Sequence, residues 1–171
     1  MSPGGAVRSM LWRWGPLVVW MATISLFSTD AFSAEETGGL LEPVLRWLIP
    51  TISAAGVEAA HLAIRKGAHV AEFALLGLLW YRGLAWGTRG WQSRTALAAF
   101  GLSVLCAGLD EAHQAFVASR TASLLDVAWD SAGALSGIGG SGVLWGRAGS
   151  GRKCNAPGEA PPRRVEAAER D

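Results

Sequence analysis

Apolar residues along the chain are concentrated in four long stretches, which are separated by shorter polar connections. The stretches lie near residues 11–28, 68–86, 95–109 and 127–145. Each approaches the ~20 residues that a helix needs to cross the ~30 Å hydrocarbon layer of a membrane. A segment exposed to lipid must satisfy its backbone hydrogen bonds internally, so each stretch is expected to be helical. The pattern therefore predicts an all-α protein, a polytopic membrane bundle of about four transmembrane helices.

The connection between the first two stretches has a different pattern. Apolar residues dominate positions 40–49, but Glu42 and Arg46 interrupt them and Pro50 follows. This mixture predicts an interfacial amphipathic helix that is interrupted at the proline. A second short helical segment, at 57–65, is expected to lead into the next spanning helix.

The first apolar stretch has two interpretations. Arg8 and Arg13 lie at its start, and Ala31-Phe32-Ser33 follows it as a small-x-small sequence. The same arrangement is typical of a signal peptide that is cleaved after export. Retention as a transmembrane helix is the preferred interpretation, and both alternatives place the next residues on the outer side of the membrane.

The composition agrees with a membrane location and narrows the choice of partners. The 171 residues are half hydrophobic and only 17% charged, whereas soluble domains carry about 25% charged residues. The formal net charge of +1 provides no basic field for nucleic acid, so membrane lipids are the expected partners. The segment after the last stretch is rich in Gly, Pro, Arg and Glu. The sequence therefore divides into a membrane domain at 1–146 and a disordered cytoplasmic tail at 147–171.

Positive charges indicate which connections face the cytoplasm. Arg and Lys are enriched in the N-terminal segment, in the connection at 87–94 and in the tail. The connections at 29–67 and 110–126 contain more acidic than basic residues. We therefore expect a multi-pass protein of the bacterial cytoplasmic membrane with both termini in the cytoplasm and these two connections outside.

Asp110-Glu111-Ala112-His113 spells the signature of a nucleic-acid helicase. Such a motor needs a phosphate-binding loop of the form G-x-x-x-x-G-K-[ST], and the sequence contains none. The four residues also fall at the predicted outer end of a membrane helix. The helicase interpretation is therefore excluded.

Ionisable residues recur near the outer ends of three predicted helices. They are His69 and Glu72 on the second helix, Asp110 and Glu111 on the third, and Asp126 and Asp130 on the fourth. Ionisable groups in or beside a spanning helix are costly and usually face the bundle interior or a wet cavity, so these residues form the candidate site. Each also has a plainer interpretation as a charge in the headgroup layer, and His113 as an interfacial histidine. Gly133 and Gly137 separately predict close helix packing.

These residues belong to a longer pattern. Lys66-x-x-His69-x-x-x-Phe73 is followed by Asp110-Glu111-x-x-Gln114-x-Phe116-x-x-x-Arg120-x-x-Ser123-x-x-Asp126-x-x-x-Asp130-x-x-Gly133-x-x-x-Gly137. The pattern resembles the VanZ-like family of bacterial integral membrane proteins over roughly residues 11–145, and its second block is the specific part. Members of that family look like small multi-helix inner-membrane proteins, and the founding member is associated with low-level resistance to the glycopeptide teicoplanin. Many members have Asn where this chain has Asp130.

The resemblance implies a role in the cell envelope, and one hypothesis is an enzyme at the outer face of the membrane. It would be a hydrolase or transferase acting on an envelope lipid or lipid-linked glycan. His69 would be the general acid or base, and Glu111 or Asp126 would orient it or supply the partner carboxylate. The expected substrate-binding residues are Lys66, Gln114, Arg120, Ser123 and Asp130. Arg120 is expected to pair with Asp126 or to hold an anionic substrate group.

The alternative hypothesis is a non-enzymatic envelope protein that binds a lipid or a glycopeptide drug. In that case the polar cluster is a structural network that fixes helix packing. A metal site is a further alternative, with His69, His113, Glu111, Asp126 and Asp130 offering nitrogen and oxygen ligands. The sequence has no H-E-x-x-H or paired-histidine spacing, so neither a metal nor another cofactor is predicted.

Overall fold

A computed structural model of the chain describes residues 3–29, 34–116 and 123–150. These residues contain five helices and no strand: α1 (Pro3–Phe27), α2 (Ala34–Leu48), α3 (Ala54–Leu84), α4 (Ser93–Gln114) and α5 (Leu124–Ser150). The predicted all-α fold is confirmed. Arg120 and the chain beyond residue 150 lie outside the described residues, as does most of the predicted tail.

The helices are longer than the apolar stretches that predicted them. α3 joins the short segment expected at 57–65 and the span expected at 68–86 into one helix. Its start is capped by Ser53, whose side chain accepts a hydrogen bond from the backbone N–H of Gly56 at 3.1 Å. The 31 residues of α3 extend over about 46 Å, more than the ~30 Å thickness of a hydrocarbon layer. Helix formation therefore continues past the apolar segment at its N-terminal side.

α2 matches the amphipathic helix expected in the first connection. It ends at Leu48, two residues before Pro50. Arg46 and Glu42 lie one turn apart on α2 and form an exposed ion pair, with 2.8 Å between Nη2 and Oε1. The side chain of Trp47 is 79% exposed beside them. The helix thus presents both charged and large apolar groups on its surface, as an interfacial helix does.

α3 and α5 pack in parallel and approach each other closely. A Cβ atom built on Gly137 would collide with the backbone of Ala74, and one built on Gly133 would collide with the backbone of Val70. A Cβ on Gly77 would lie 2.6 Å from the carbonyl oxygen of Ala134. Only glycine permits this separation, so the close packing predicted from Gly133 and Gly137 is confirmed.

α1 runs antiparallel to α3 and is tied to it along its length. Arg13 Nε donates to the carbonyl oxygen of Gly83 at 2.8 Å, and Trp20 Nε1 donates to that of Glu72 at 2.9 Å. The apolar core between α1, α3 and α4 is formed by Leu17, Ile24, Phe73, Leu76 and Ala107. In this structure the first apolar stretch is part of the folded bundle.

The bundle has two polar ends. We call them the Ser28 end, which contains Ser28, Gln114 and Ser123, and the Arg13 end, which contains Arg13 and Arg82. At the Arg13 end, the guanidinium groups of Arg13 and Arg82 lie over the rings of Trp14 and Trp86, at 4.8 and 5.1 Å from the ring centres. Arginine and tryptophan commonly occupy a membrane–water boundary together.

Two helices in the described part of the chain are long and apolar enough to cross a membrane. They are α1, over Gly4–Phe27, and α4, over Ser93–Gln114. α3 carries charges within its length, including Lys66 and Glu72, and α5 is rich in glycine and carries two aspartates. Length and apolar composition thus support two of the four expected spans directly.

Candidate functional site

The candidate site lies at the Ser28 end, where α3, α4 and α5 meet. Asp126 is in the first turn of α5 and forms an ion pair with the ammonium group of Lys66 on α3. The guanidinium of Arg65 lies 4.0 Å from the other oxygen of the same carboxylate. Asp126 has a side-chain exposure of only 8%, whereas Arg65 and Lys66 retain 37% and 26%. Two cations therefore share one buried carboxylate and still reach the surface.

A second contact between α3 and α5 lies about one turn further along both helices. Nδ1 of His69 is 3.4 Å from Oδ1 of Asp130. Asp130 is completely buried, and neither of its carboxylate oxygens accepts a hydrogen bond from the described residues. His69 Nδ1 is also buried without such a bond. The pair is therefore close enough for a strong electrostatic interaction but is not aligned as a hydrogen bond.

Glu111 on α4 holds the start of α5. Its Oε2 atom accepts a hydrogen bond from the backbone N–H of Ser123 at 2.7 Å. Ser123 itself precedes α5, and its hydroxyl oxygen accepts from the N–H of Leu125 at 3.2 Å. The other oxygen of Glu111 is buried and accepts no hydrogen bond within the described residues. One carboxylate oxygen of Glu111 thus holds the start of α5, and the other could accept a hydrogen bond from a bound molecule.

A third polar group joins α1 to α4. The hydroxyl of Ser28 donates to Oδ1 of Asp110 at 2.5 Å, and Nε2 of Gln114 donates to Oδ2 of the same residue at 2.8 Å. Ser28 and Gln114 are both buried. The sequence indicated the pairing of Asp110 and Gln114 through their spacing of four residues on one helix. It gave no signal for Ser28, because that contact depends on how α1 packs.

The structure places seven of the eight predicted site residues at the Ser28 end. The eighth, Arg120, lies outside the described residues, so its expected pairing with Asp126 stays a prediction; among the described residues Asp126 contacts Lys66. The sequence also assigned Glu111 or Asp126 as the carboxylate beside His69, whereas the structure places Asp130 there. The reason is the parallel packing of α3 and α5. It places Lys66 beside Asp126 and, one turn further along both helices, His69 beside Asp130. Arg65 is an additional cation of the site.

His113 does not join this group. It is exposed on α4 and lies beside a cavity between α1, α3 and α4. Among the described residues, no group of three or more His, Cys, Asp or Glu side chains is arranged to hold a metal ion. The described residues of the Ser28 end offer an imidazole, carboxylates and two cations.

Residues 14–145 match the model of the VanZ/LLP1 family. The chain belongs to this family. The match begins within α1 and ends within α5, so it includes every described residue of the site. No curated protein and no solved structure matches the chain. Family membership and the two apolar helices together indicate a membrane protein.

Proposed function

We propose that this VanZ/LLP1 protein crosses the bacterial cytoplasmic membrane four times and acts at its outer face on an envelope lipid or lipid-linked glycan. The proposed orientation places the Arg13 end in the cytoplasm and the Ser28 end outside. It is supported by Arg13 and Arg82 at one end, with Arg89 in the connection beside them and Arg94 in the first turn of α4. Cytoplasmic connections carry such an excess of basic residues.

The observation that carries the proposed chemistry is the pairing of His69 with the buried Asp130. Histidine exchanges protons near neutral pH and is the commonest general acid or base in enzymes. A carboxylate at 3.4 Å can offset the positive charge that the imidazole gains during proton transfer. The two oxygens of Asp130 that accept no hydrogen bond from the described residues are unusual, because buried polar atoms are nearly always partnered. Such atoms are typical of a site that is completed by a ligand or water.

The cations beside this pair indicate the kind of group that is bound. Arg65 and Lys66 contribute two positive charges, and Asp126 neutralises one of them. The remaining positive charge is partly exposed and suits a phosphate or carboxylate on the substrate. Arg120, in the adjoining connection, is proposed as a further ligand for the same anionic group.

We propose that the protein is a hydrolase or transferase in which His69 acts as general acid–base. His69 would remove a proton from water or from an acceptor hydroxyl while that oxygen attacks the bound group, and would return the proton to the leaving oxygen. Glu111, Asp126, Gln114 and Ser123 act as positioning residues in this scheme. A covalent serine mechanism has no support, because the hydroxyl of Ser123 is used to cap α5.

The alternative is a protein that binds a lipid or drug without chemistry. It is favoured by the contacts of Glu111 with Ser123 and of Lys66 with Asp126, since both stabilise the packing of α5 whether or not a reaction occurs. The resistance to teicoplanin that is associated with the founding member fits either version, through an altered envelope lipid or through direct binding of the drug.

The test is a comparison of envelope lipids and peptidoglycan precursors by mass spectrometry. Four strains are compared: one lacking the protein, and three expressing the natural chain, His69→Ala or His61→Ala at matched abundance. His61 is the control, because it lies two turns earlier on the same helix and outside the site. The proposal expects a lipid or precursor that changes with the natural chain and with His61→Ala but not with His69→Ala. Identical profiles in all four strains would reject the enzymatic version in favour of the binding version.

A further inference from the structure

A cavity of about 290 Å³ lies between α1, α3 and α4 and is separate from the ion pairs described above. Its walls are mainly apolar, and Asp110 and His113 are among the polar residues that line it. The apolar wall residues are Met21, Ile24, Phe73, Leu76 and Leu109. The volume is about twice the ~150 Å³ of an apolar protein cavity that binds benzene. The cavity therefore has room for a segment of hydrocarbon chain.

The cavity opens toward the surroundings of the bundle. Met21 on α1 and Leu109 on α4 both line it, yet they remain 37% and 62% exposed. α1 and α4 are also the two helices that are apolar enough to cross a membrane. In the proposed topology, the opening between them faces lipid, so a lipid chain can enter from the side.

The cavity and His69 are neighbours along α3. Phe73, which forms part of its wall, follows His69 by four residues, so the two side chains lie on one face of α3 about 6 Å apart along the helix axis. Asp110, which also lines the cavity, bonds to Ser28 and Gln114 at the Ser28 end of the bundle, the end that contains His69. A chain held against Phe73 would therefore carry its headgroup to His69 and to the cations at Arg65 and Lys66.

We infer that this cavity takes one hydrocarbon chain of a phosphate-bearing membrane lipid and so places the phosphate beside His69. The inference rests on the proposed function and names the substrate class for the same site. Apolar walls recognise the chain, and the positive charge left over from the pairing of Arg65 and Lys66 with Asp126 recognises the phosphate. A soluble substrate would leave the apolar walls of the cavity without a role.

Photocrosslinking tests this inference without requiring turnover. The full chain is reconstituted in vesicles that contain phosphatidylglycerol with a diazirine on one acyl chain, and the crosslinked residues are mapped by mass spectrometry. Cys106 lines the cavity, whereas its neighbour Leu105 is 58% exposed on another face of α4. Cys106→Phe fills the cavity and Leu105→Phe is the matched control. Ser25→Phe, also in the cavity wall, with Leu26→Phe as control, provides a second pair if Cys106→Phe fails to fold.

We expect crosslinks to concentrate on the cavity walls and to fall about tenfold in Cys106→Phe but not in Leu105→Phe, which corresponds to a loss of ~1.4 kcal/mol in binding free energy. Diacylglycerol with the same diazirine chain should label the cavity more weakly, since it lacks the phosphate. Labelling that is spread over all exposed faces, or that is unchanged by cavity filling, would overturn the inference. Equal labelling by diacylglycerol would overturn the phosphate assignment.

The same experiment separates this inference from the proposed function. Labelling needs no turnover, so it is measured independently of the lipid change in cells. Labelling that disappears while the His69-dependent lipid change persists in cells would reject the cavity and leave the proposed function standing. Specific labelling of the cavity without any lipid change in cells would support lipid binding in the cavity and reject the proposed enzymatic function.

Discussion

His69 and Asp130 face each other across the parallel contact between α3 and α5, with 3.4 Å between Nδ1 and Oδ1. The contact exists because Gly133 and Gly137 let the two backbones approach closely. The packing of glycine against a helix thus sets the distance between the two groups of the proposed acid–base pair. The same helix contact therefore stabilises the bundle and positions the proposed acid–base pair, and the two roles can be tested with different variants.

Gly137→Ala should destabilise the protein by about 1–3 kcal/mol, because the added Cβ meets the backbone of Ala74 and overpacked contacts have costs of this size. Gly139→Ala is the matched control, since no atom lies near a Cβ built there. The control should be neutral or stabilising by roughly 0.5–1 kcal/mol, because alanine favours helix more than glycine does. Thermal unfolding in detergent measures both. Equal effects in the two variants would contradict the close packing of α3 and α5.

The ion pair of Lys66 with Asp126 should show strong energetic coupling. Lys66→Met removes the nearer cation from the buried carboxylate of Asp126, and Asp126→Leu removes the anion that pairs with Lys66. The double variant should therefore be destabilised by less than the sum of the two single variants. The expected coupling free energy is about 0.5–3 kcal/mol. The exposed pair of Arg46 and Glu42 on α2 is the reference, and its coupling should be about 0.3–0.5 kcal/mol. If the two double-mutant cycles give the same value, the burial of Asp126 does not strengthen its pairing with Lys66.

Glu111→Leu should destabilise the protein more than Glu111→Gln. Glutamine keeps an oxygen that can accept the hydrogen bond from the N–H of Ser123, whereas leucine leaves that donor without a partner. The loss for Glu111→Leu should be about 1–3 kcal/mol. Unfolding midpoints in detergent, compared at equal protein concentration, provide the measurement. Similar midpoints for both variants would show that Glu111 does not hold the start of α5.

The proposed orientation predicts which residues an impermeant thiol reagent can reach in intact cells. Glu58→Cys, in the part of α3 that precedes Lys66, should be labelled from outside. Thr88→Cys, in the connection after α3, should be labelled only after the cells are permeabilised. Both substitutions are made in a chain in which Cys106 and Cys154 are replaced by serine. Labelling of Thr88→Cys in intact cells would reverse the orientation and place the site in the cytoplasm.

The sequence predicted the helices and the end at which the polar residues gather, because both follow from local patterns. Apolar stretches mark helices, and positions such as Asp110 and Gln114 share a face through helix geometry alone. It did not predict which carboxylate lies beside His69. That choice depends on the parallel register of α3 and α5, which is set by contacts between residues far apart in the chain. The same reason explains why Ser28 was missed: its partner Asp110 is 82 residues away.

The bounds of α3 show a second limit. The apolar pattern predicted a span beginning at residue 68, but the helix begins at Ala54. Backbone hydrogen bonds and the cap at Ser53 extend a helix through polar residues as readily as through apolar ones. The apolar pattern therefore located the apolar part of α3 but not its first residue. Because the helix begins at Ala54, Arg65 and Lys66 lie within it.

The most direct test of the central claim is a reaction with purified components. The natural chain, His69→Asn and His61→Asn are each reconstituted into vesicles made from the envelope lipids of the same cells, and the lipids are followed over time by mass spectrometry. The account predicts that the natural chain and His61→Asn consume one phosphate-bearing species and form one product, while His69→Asn does neither. A lipid population that stays constant with the natural chain, or that changes equally with His69→Asn, would contradict a catalytic role for His69.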